Sequence, residues 1–157
     1  MVLSYEAVCF DLFGTLVTGD GAPIAGAYAA LHALPPERWA IVTSCGSGFA
    51  TALIADAGLP APGVLVTADD VASGKPAPDP YRLAVQRLGV LSAQAIAIED
   101  SREGIVSARA AGLDVIGIAR GRGLPFAVGA IAHVDRFEEI RWSVGPEGAI
   151  GVDVSGR

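Results

Sequence analysis

The run Val8-Cys9-Phe10-Asp11-Leu12-Phe13-Gly14-Thr15-Leu16-Val17 constrains this chain more than any other stretch. Ala7 to Phe10 is short, apolar throughout and in part β-branched or aromatic. It reads as a strand buried on both faces of a parallel sheet. Asp11 stands where that strand ends. In open α/β sheets the carboxyl ends of the strands face the ligand crevice. Asp11, followed by Gly14 and Thr15, is therefore a candidate reactive group with a candidate phosphate-binding turn. An ordinary strand-end aspartate fits this stretch equally well.

The same pattern recurs along the chain. Thr18 to Pro23 is a short polar, Gly-rich segment, and Ala25 to Leu34 reads as a helix stopped by Pro35-Pro36. Trp39 to Val42 is a second buried strand, ending at Thr43-Ser44. After the small-residue turn Cys45-Gly46-Ser47-Gly48, Phe49 to Ala57 reads as a helix ended by Gly58. Val64 to Val66 is a third strand, and Thr67 to Pro78 a long loop carrying Lys75, of a length usually found at functional sites. Pro80 to Leu88 is a helix with Pro at its first turn and Gly89 at its end. Ala95 to Ile98 is a fourth strand, delivering Glu99-Asp100, and Ser101 can cap a helix that runs to Ala111. Val115 to Ile118 is a fifth strand, Gly121 to Pro125 a loop and Ile131 to Val134 a sixth strand. Strictly alternating strands and helices, without tandem repeats, predict a doubly wound, Rossmann-like parallel sheet of five to six strands with helices on both faces. Phe137 to Trp142 reads as a short helix. Residues 1–142 form one core domain in this reading, and 143–157 a Gly-rich, partly disordered tail.

Composition narrows the partners. At 157 residues there is room for one domain, and 52% hydrophobic against 18% charged residues argues for a filled core rather than disorder. A net charge of -6 disfavours nucleic acid, which needs a basic face. No apolar run is long enough to cross a membrane. The first residues lack a basic region followed by a long apolar segment, so a cytoplasmic location is expected. Two cysteines make no disulfide framework: Cys9 lies within a strand, and Cys45 follows Thr43-Ser44 in a turn that can line a pocket. His32 and His133 stand apart from the strand-end residues.

Asp11, Thr43-Ser44, Lys75 and Glu99-Asp100, each following an apolar run and in this order, resemble the four motifs of the haloacid dehalogenase superfamily of hydrolases and phosphotransferases. The likeness is to its sugar-phosphatase and phosphoglucomutase-like branch. It is strongest in Gly74-Lys75-Pro76-Ala77-Pro78-Asp79-Pro80-Tyr81 and Glu99-Asp100-Ser101-Arg102-Glu103-Gly104, and it covers residues 1 to about 119.

The resemblance implies a phosphomonoester hydrolase acting on a small phosphorylated metabolite. Asp11 would attack phosphorus to give an aspartyl-phosphate, which splits one hard displacement into two easier ones. Thr43 and Ser44 would bind the phosphoryl oxygens, and Lys75 would bridge phosphate and nucleophile. Mg²⁺ would be held by Asp11, Asp100 and the backbone carbonyl of Phe13, with Glu99 and Ser101 supporting them.

Two departures from the family's pattern stand out. The position two after the nucleophile is normally a second Asp that protonates the leaving oxygen and then activates water; here it is Phe13, which transfers no proton. An aromatic there is also found in the superfamily's metal-independent dehalogenases, whereas Glu99-Asp100-Ser101 resembles the metal-binding motif. The helical cap that most relatives insert near residues 18–24 has no room here. Asp20, the one acid of that flap, is a candidate substitute for the missing acid. An open crevice also makes a homodimer a reasonable expectation. Alternatives to a hydrolase are a catalytically impaired phosphate-binding or interaction module, and a phosphate-accepting switch.

Overall fold

A computed structural model describes residues 2–121 and 129–155. Nine strands and four α-helices follow in chain order among these residues: β1 (Leu3–Tyr5), β2 (Ala7–Phe10), α1 (Ala27–Ala33), β3 (Trp39–Val42), α2 (Ser47–Asp56), β4 (Val64–Val66), α3 (Asp79–Leu88), β5 (Ala95–Glu99), α4 (Arg102–Ala110), β6 (Asp114–Ile118), β7 (Ala132–Val134), β8 (Arg141–Val144) and β9 (Ile150–Asp153). Six of the strands form a parallel sheet in the order β4-β3-β2-β5-β6-β7. This is the α/β, Rossmann-like architecture that the sequence predicts.

Side-chain size alternates along the central strands and sets which helices pack where. Ala7, Cys9, Ala40, Ala95 and Ala97 line one face, against Tyr81, Ala84 and Val85 of α3 and Ile105 and Ala108 of α4. Small residues there let the two helices approach closely. On the other face Val8, Phe10, Trp39, Ile41, Ile96, Ile98 and Ile116 form the larger part of the core, against Leu31 of α1 and Ala50 and Ile54 of α2. The two faces follow directly from the period-2 geometry of a strand.

The sheet order fixes the place of the site. The chain lays β2, β3 and β4 outward to one side, then returns to place β5, β6 and β7 on the other. The carboxyl ends of β2, β3 and β5 therefore meet at the point where the winding reverses, which is where open sheets leave a crevice.

Beyond Ile118 the structure departs from the sequence reading. Phe137 to Glu139 is a single 3-10 turn rather than the start of a helix, and Arg141 to Val144 is strand β8. Alternating polar and apolar residues in Arg141-Trp142-Ser143-Val144 suit pairing with β9 better than a helical stripe. The segment read as a partly disordered tail supplies β9, the centre of an antiparallel sheet ordered β1-β9-β8. Gly145 and Gly148 belong to the turn between β8 and β9, closed by a bond from the Gly145 N–H to the Ala149 carbonyl (2.8 Å), while Gly151 lies within β9. Ile150 and Val152 are fully buried and join the larger part of the core. From Arg122 on, the loop read at Gly121 to Pro125 lies outside the described residues, as do Met1, Gly156 and Arg157.

Candidate active site

Asp11 leaves the end of β2 with its backbone N–H bonded to the Ile98 carbonyl (3.1 Å), so its carboxylate starts between β2 and β5. The chain then turns back on itself: the N–H groups of Thr15, Leu16 and Val17 all donate to the Leu12 carbonyl (2.9–3.2 Å). Thr15, read as part of a phosphate-binding turn, is completely buried and donates its hydroxyl to Asp11 Oδ2 (3.2 Å). It therefore orients the carboxylate. Gly14 has φ of 84°, and a Cβ placed there would lie 1.9 Å from Asp100 Oδ2. Only glycine allows the turn after β2 to press against the acid after β5.

Lys75 links these acids. Its ammonium donates to Asp11 Oδ1 (2.8 Å), Glu99 Oε1 (2.6 Å) and the Val42 carbonyl (2.9 Å). All three of its protons are thereby engaged. Burial pulls the amine down, but the Glu99 and Asp11 carboxylates outweigh it and hold the lysine charged well above its ordinary range. The loop carrying Lys75 is fastened to α4 by the Ser107 hydroxyl, which donates to the Ala77 carbonyl (2.6 Å).

Glu99 is wholly buried and surrounded by donors. Oε1 also accepts from the Tyr81 hydroxyl (2.6 Å), while Oε2 accepts from the Asp100 N–H (3.2 Å) and the Ser101 hydroxyl (3.3 Å). Ser101 in turn caps α4 by accepting from the Gly104 N–H (3.1 Å). Burial pushes the Glu99 carboxyl up to about 7 and that of Asp11 up to about 6, with Lys75 opposing both shifts. Oxygens of Asp11, Glu99 and Asp100 lie within 4.8 Å of one another.

Asp11, Thr43, Ser44, Lys75 and Asp100 share the wall of one cavity of about 390 Å³, together with Phe13. The structure thus brings together in one crevice the residues that the sequence singles out at three strand ends and one loop. Thr43 is buried, its hydroxyl accepting from the Cys45 N–H (3.2 Å), and Ser44 is exposed. The Phe13 ring stacks on Phe49, with centroids 5.9 Å apart and planes 23° apart. Asp20 is exposed on the flap and tied there, accepting from the Thr18 hydroxyl and the Ala22 N–H (3.4 Å). These bonds, the Thr18 hydroxyl foremost, hold its carboxyl below the usual range. His32 packs against Tyr28 along α1, with the two rings tilted 45° to one another. Among the described residues the chain passes from this flap straight to α1, with no folded insertion between them.

Sequence reasoning missed three contributors to the site. Tyr81 lay inside the motif around Lys75, but its role as a donor to Glu99 needed the fold. Glu103 lines the crevice from the first turn of α4, and Phe49 meets Phe13 across two elements.

The family model described as haloacid dehalogenase-like hydrolase matches residues 8–118. The chain belongs to this family. Hexitol phosphatase A of Escherichia coli (strain K12) is 48% identical over 102 residues, which cover 65% of this chain and 43% of that protein. Validoxylamine A 7'-phosphate phosphatase of Streptomyces hygroscopicus subsp. limoneus is 35% identical over 150 residues, covering 91% of this chain and 70% of that protein. The chain spans less than half the length of the hexitol phosphatase. A HAD family hydrolase from Deinococcus radiodurans R1, solved with bound phosphate and sodium, has a TM-score of 0.78 at 22% identity, covering 86% of this chain and 93% of that one. At that identity the likeness speaks for the fold.

Proposed function

We propose that this chain hydrolyses a small phosphorylated metabolite through an aspartyl-phosphate on Asp11, with Mg²⁺ as cofactor. The observation that carries the reading is the placement of Asp11 on the crevice wall, one carboxylate oxygen on Lys75 and the other on Thr15. A carboxylate held at both oxygens has one orientation for attack, and that pre-organisation is what an in-line displacement needs. The names of the relatives, hexitol phosphatase A and validoxylamine A 7'-phosphate phosphatase, support the same chemistry.

The residues fit a hard divalent cation. Three carboxyl groups, those of Asp11, Glu99 and Asp100, face one ammonium, a formal excess of two negative charges once all three are ionised. Such an all-oxygen cluster suits Mg²⁺. Asp11 and Asp100 would hold it, with the Phe13 carbonyl as the family resemblance implies, and Glu99 would serve as their support, its oxygens already occupied by protein donors. When bound, the cation supplies charge neutralisation for the incoming phosphoryl group. Thr43 and Ser44 bind the phosphoryl oxygens, and Lys75 draws negative charge from them while keeping Asp11 in place.

Phe13 favours a second reading, a site that accepts phosphate but releases it slowly, as a binding module or switch would. Acid quenching during turnover of an aryl phosphate, followed by peptide mass spectrometry, tests the proposal. Covalent phosphate on Asp11 that decays to free phosphate supports hydrolysis; phosphate that stays on Asp11 supports the switch; a chain that never becomes labelled refutes both covalent readings.

A further inference from the structure

The crevice wall has a proton inventory: besides Asp11, Lys75 and Phe13 it carries the hydroxyls of Thr43, Ser44 and Ser101, the Cys45 thiol and the Asp100 and Glu103 carboxyls, Glu103 being exposed to solvent. The three Lys75 protons are committed to Asp11, Glu99 and Val42. Asp11 is the nucleophile, and Asp20 is tied to Thr18 and Ala22 within the flap. Beside Asp11 on the wall stands the Phe13 ring, which has no proton to give. Expelling an alkoxide from phosphorus without a positioned acid forfeits about 100- to 10,000-fold in rate. A leaving oxygen that is stable as an anion forfeits far less.

A second observation concerns the same ring. Phe49, on the first turn of α2, is stacked on Phe13 and yet 59% exposed. The pair forms an offset aromatic platform that runs from the crevice wall into solvent. Aromatic pairs prefer offset-stacked geometry to a face-to-face sandwich.

We infer that the crevice is selective for aryl phosphates, whose phenolate oxygen leaves without taking a proton, and that Phe13 and Phe49 hold the departing aromatic group. The inference rests on the hydrolase reading above and narrows its substrate class. An Asp11 carboxylate oxygen forms a bond to phosphorus, the ester P–O bond breaks, and its electron pair leaves on the phenolate. Water then attacks the phosphorus of the aspartyl-phosphate, the bond to Asp11 breaks to restore the carboxylate, and the proton lost by water passes to solvent as phosphate departs.

The test is kcat/KM, which reports formation of the phosphoenzyme, for p-nitrophenyl phosphate, phenyl phosphate, acetyl phosphate and glycerol 3-phosphate in the presence of Mg²⁺. The aryl phosphates exceed glycerol 3-phosphate by more than about 100-fold, and Phe13→Asp raises the glycerol 3-phosphate value by about 100-fold or more while changing p-nitrophenyl phosphate less. Phe49→Ala raises KM for the aryl phosphates roughly 2- to 10-fold, the worth of one stacked pair, and spares acetyl phosphate, which has no ring. Glycerol 3-phosphate turned over by the parent within about tenfold of the aryl phosphates overturns the inference. So does loss of that turnover in Glu103→Gln or Cys45→Ala, which would reveal another acid on the wall, or an equal KM increase for acetyl and aryl phosphates in Phe49→Ala. Failure of every probe to release phosphate or to label Asp11 refutes the hydrolase reading itself, and the inference with it.

Discussion

Gly104 leaves to the Glu99 carboxylate the space that its own Cβ would fill: a Cβ built on Gly104 would lie 2.0 Å from Glu99 Oε1. The first turn of α4 can therefore lie directly over the buried acid that anchors Lys75 and Tyr81. Gly104→Ala is expected to destabilise the chain by about 2–4 kcal/mol, because the added methyl forces Glu99 from its donors. Urea unfolding of Gly104→Ala, Glu99→Ala and the double variant measures the coupling. The account predicts that Gly104→Ala costs far less once Glu99 is absent.

Asp11 and Glu99 carry a pH signature. Burial is the main cause that raises Asp11 from 3.8 to about 6 and Glu99 from 4.5 to about 7. The folded chain thus binds protons more tightly than the unfolded chain at these groups. Their contribution to stability is fully present below the unfolded values and is lost as pH rises through the folded ones. In chelator, the Tm of the parent relative to Asp11→Asn should fall between about pH 4 and about pH 6, the interval between the unfolded and folded values of Asp11. Mg²⁺ should raise the parent's Tm more at the higher pH, where the carboxylates are free of protons and repel one another. A Tm difference that rises with pH in chelator would contradict this arrangement of charges.

Ile150 belongs to the core although it lies in the Gly-rich C-terminal segment. It is fully buried on β9, beside Val152 and in the same apolar cluster as Phe10 and Phe137. Ile150→Ala should cost about 2–5 kcal/mol, as for other large-to-small changes in a packed core. A thermal or urea midpoint unchanged from the parent would show that β9 is dispensable.

The parallel sheet was legible because its strands advertise themselves. Ala95-Ile96-Ala97-Ile98, between Gln94 and Glu99, and Ala7-Val8-Cys9-Phe10, between Glu6 and Asp11, are unbroken apolar runs bounded by polar residues, and a doubly covered sheet accommodates them. Asp11, Thr43 and Asp100 were legible for a related reason: each lies just beyond such a run, and strand ends converge by topology, while Lys75 stood out within the long loop after β4. The antiparallel sheet was not. β1 has three residues and β9 four, their pairing spans almost the whole chain, and Gly145 and Gly148 imitate a flexible tail in composition. No local pattern announces a contact between Leu3 and Val152. The Phe13 and Phe49 stack was hidden likewise, since it joins the turn after β2 to the first turn of α2. The sequence expresses the chemistry of Phe13, the loss of a proton donor, but not the ring it meets.

The most direct test of the central claim is release of inorganic phosphate from an aryl phosphate by the parent and by Asp11→Asn, each with Mg²⁺ and with chelator. The account predicts release by the parent with Mg²⁺ alone, and a fall to background in chelator and in Asp11→Asn. Release that survives in Asp11→Asn, or that is indifferent to chelator, would contradict a metal-supported nucleophile at the end of β2.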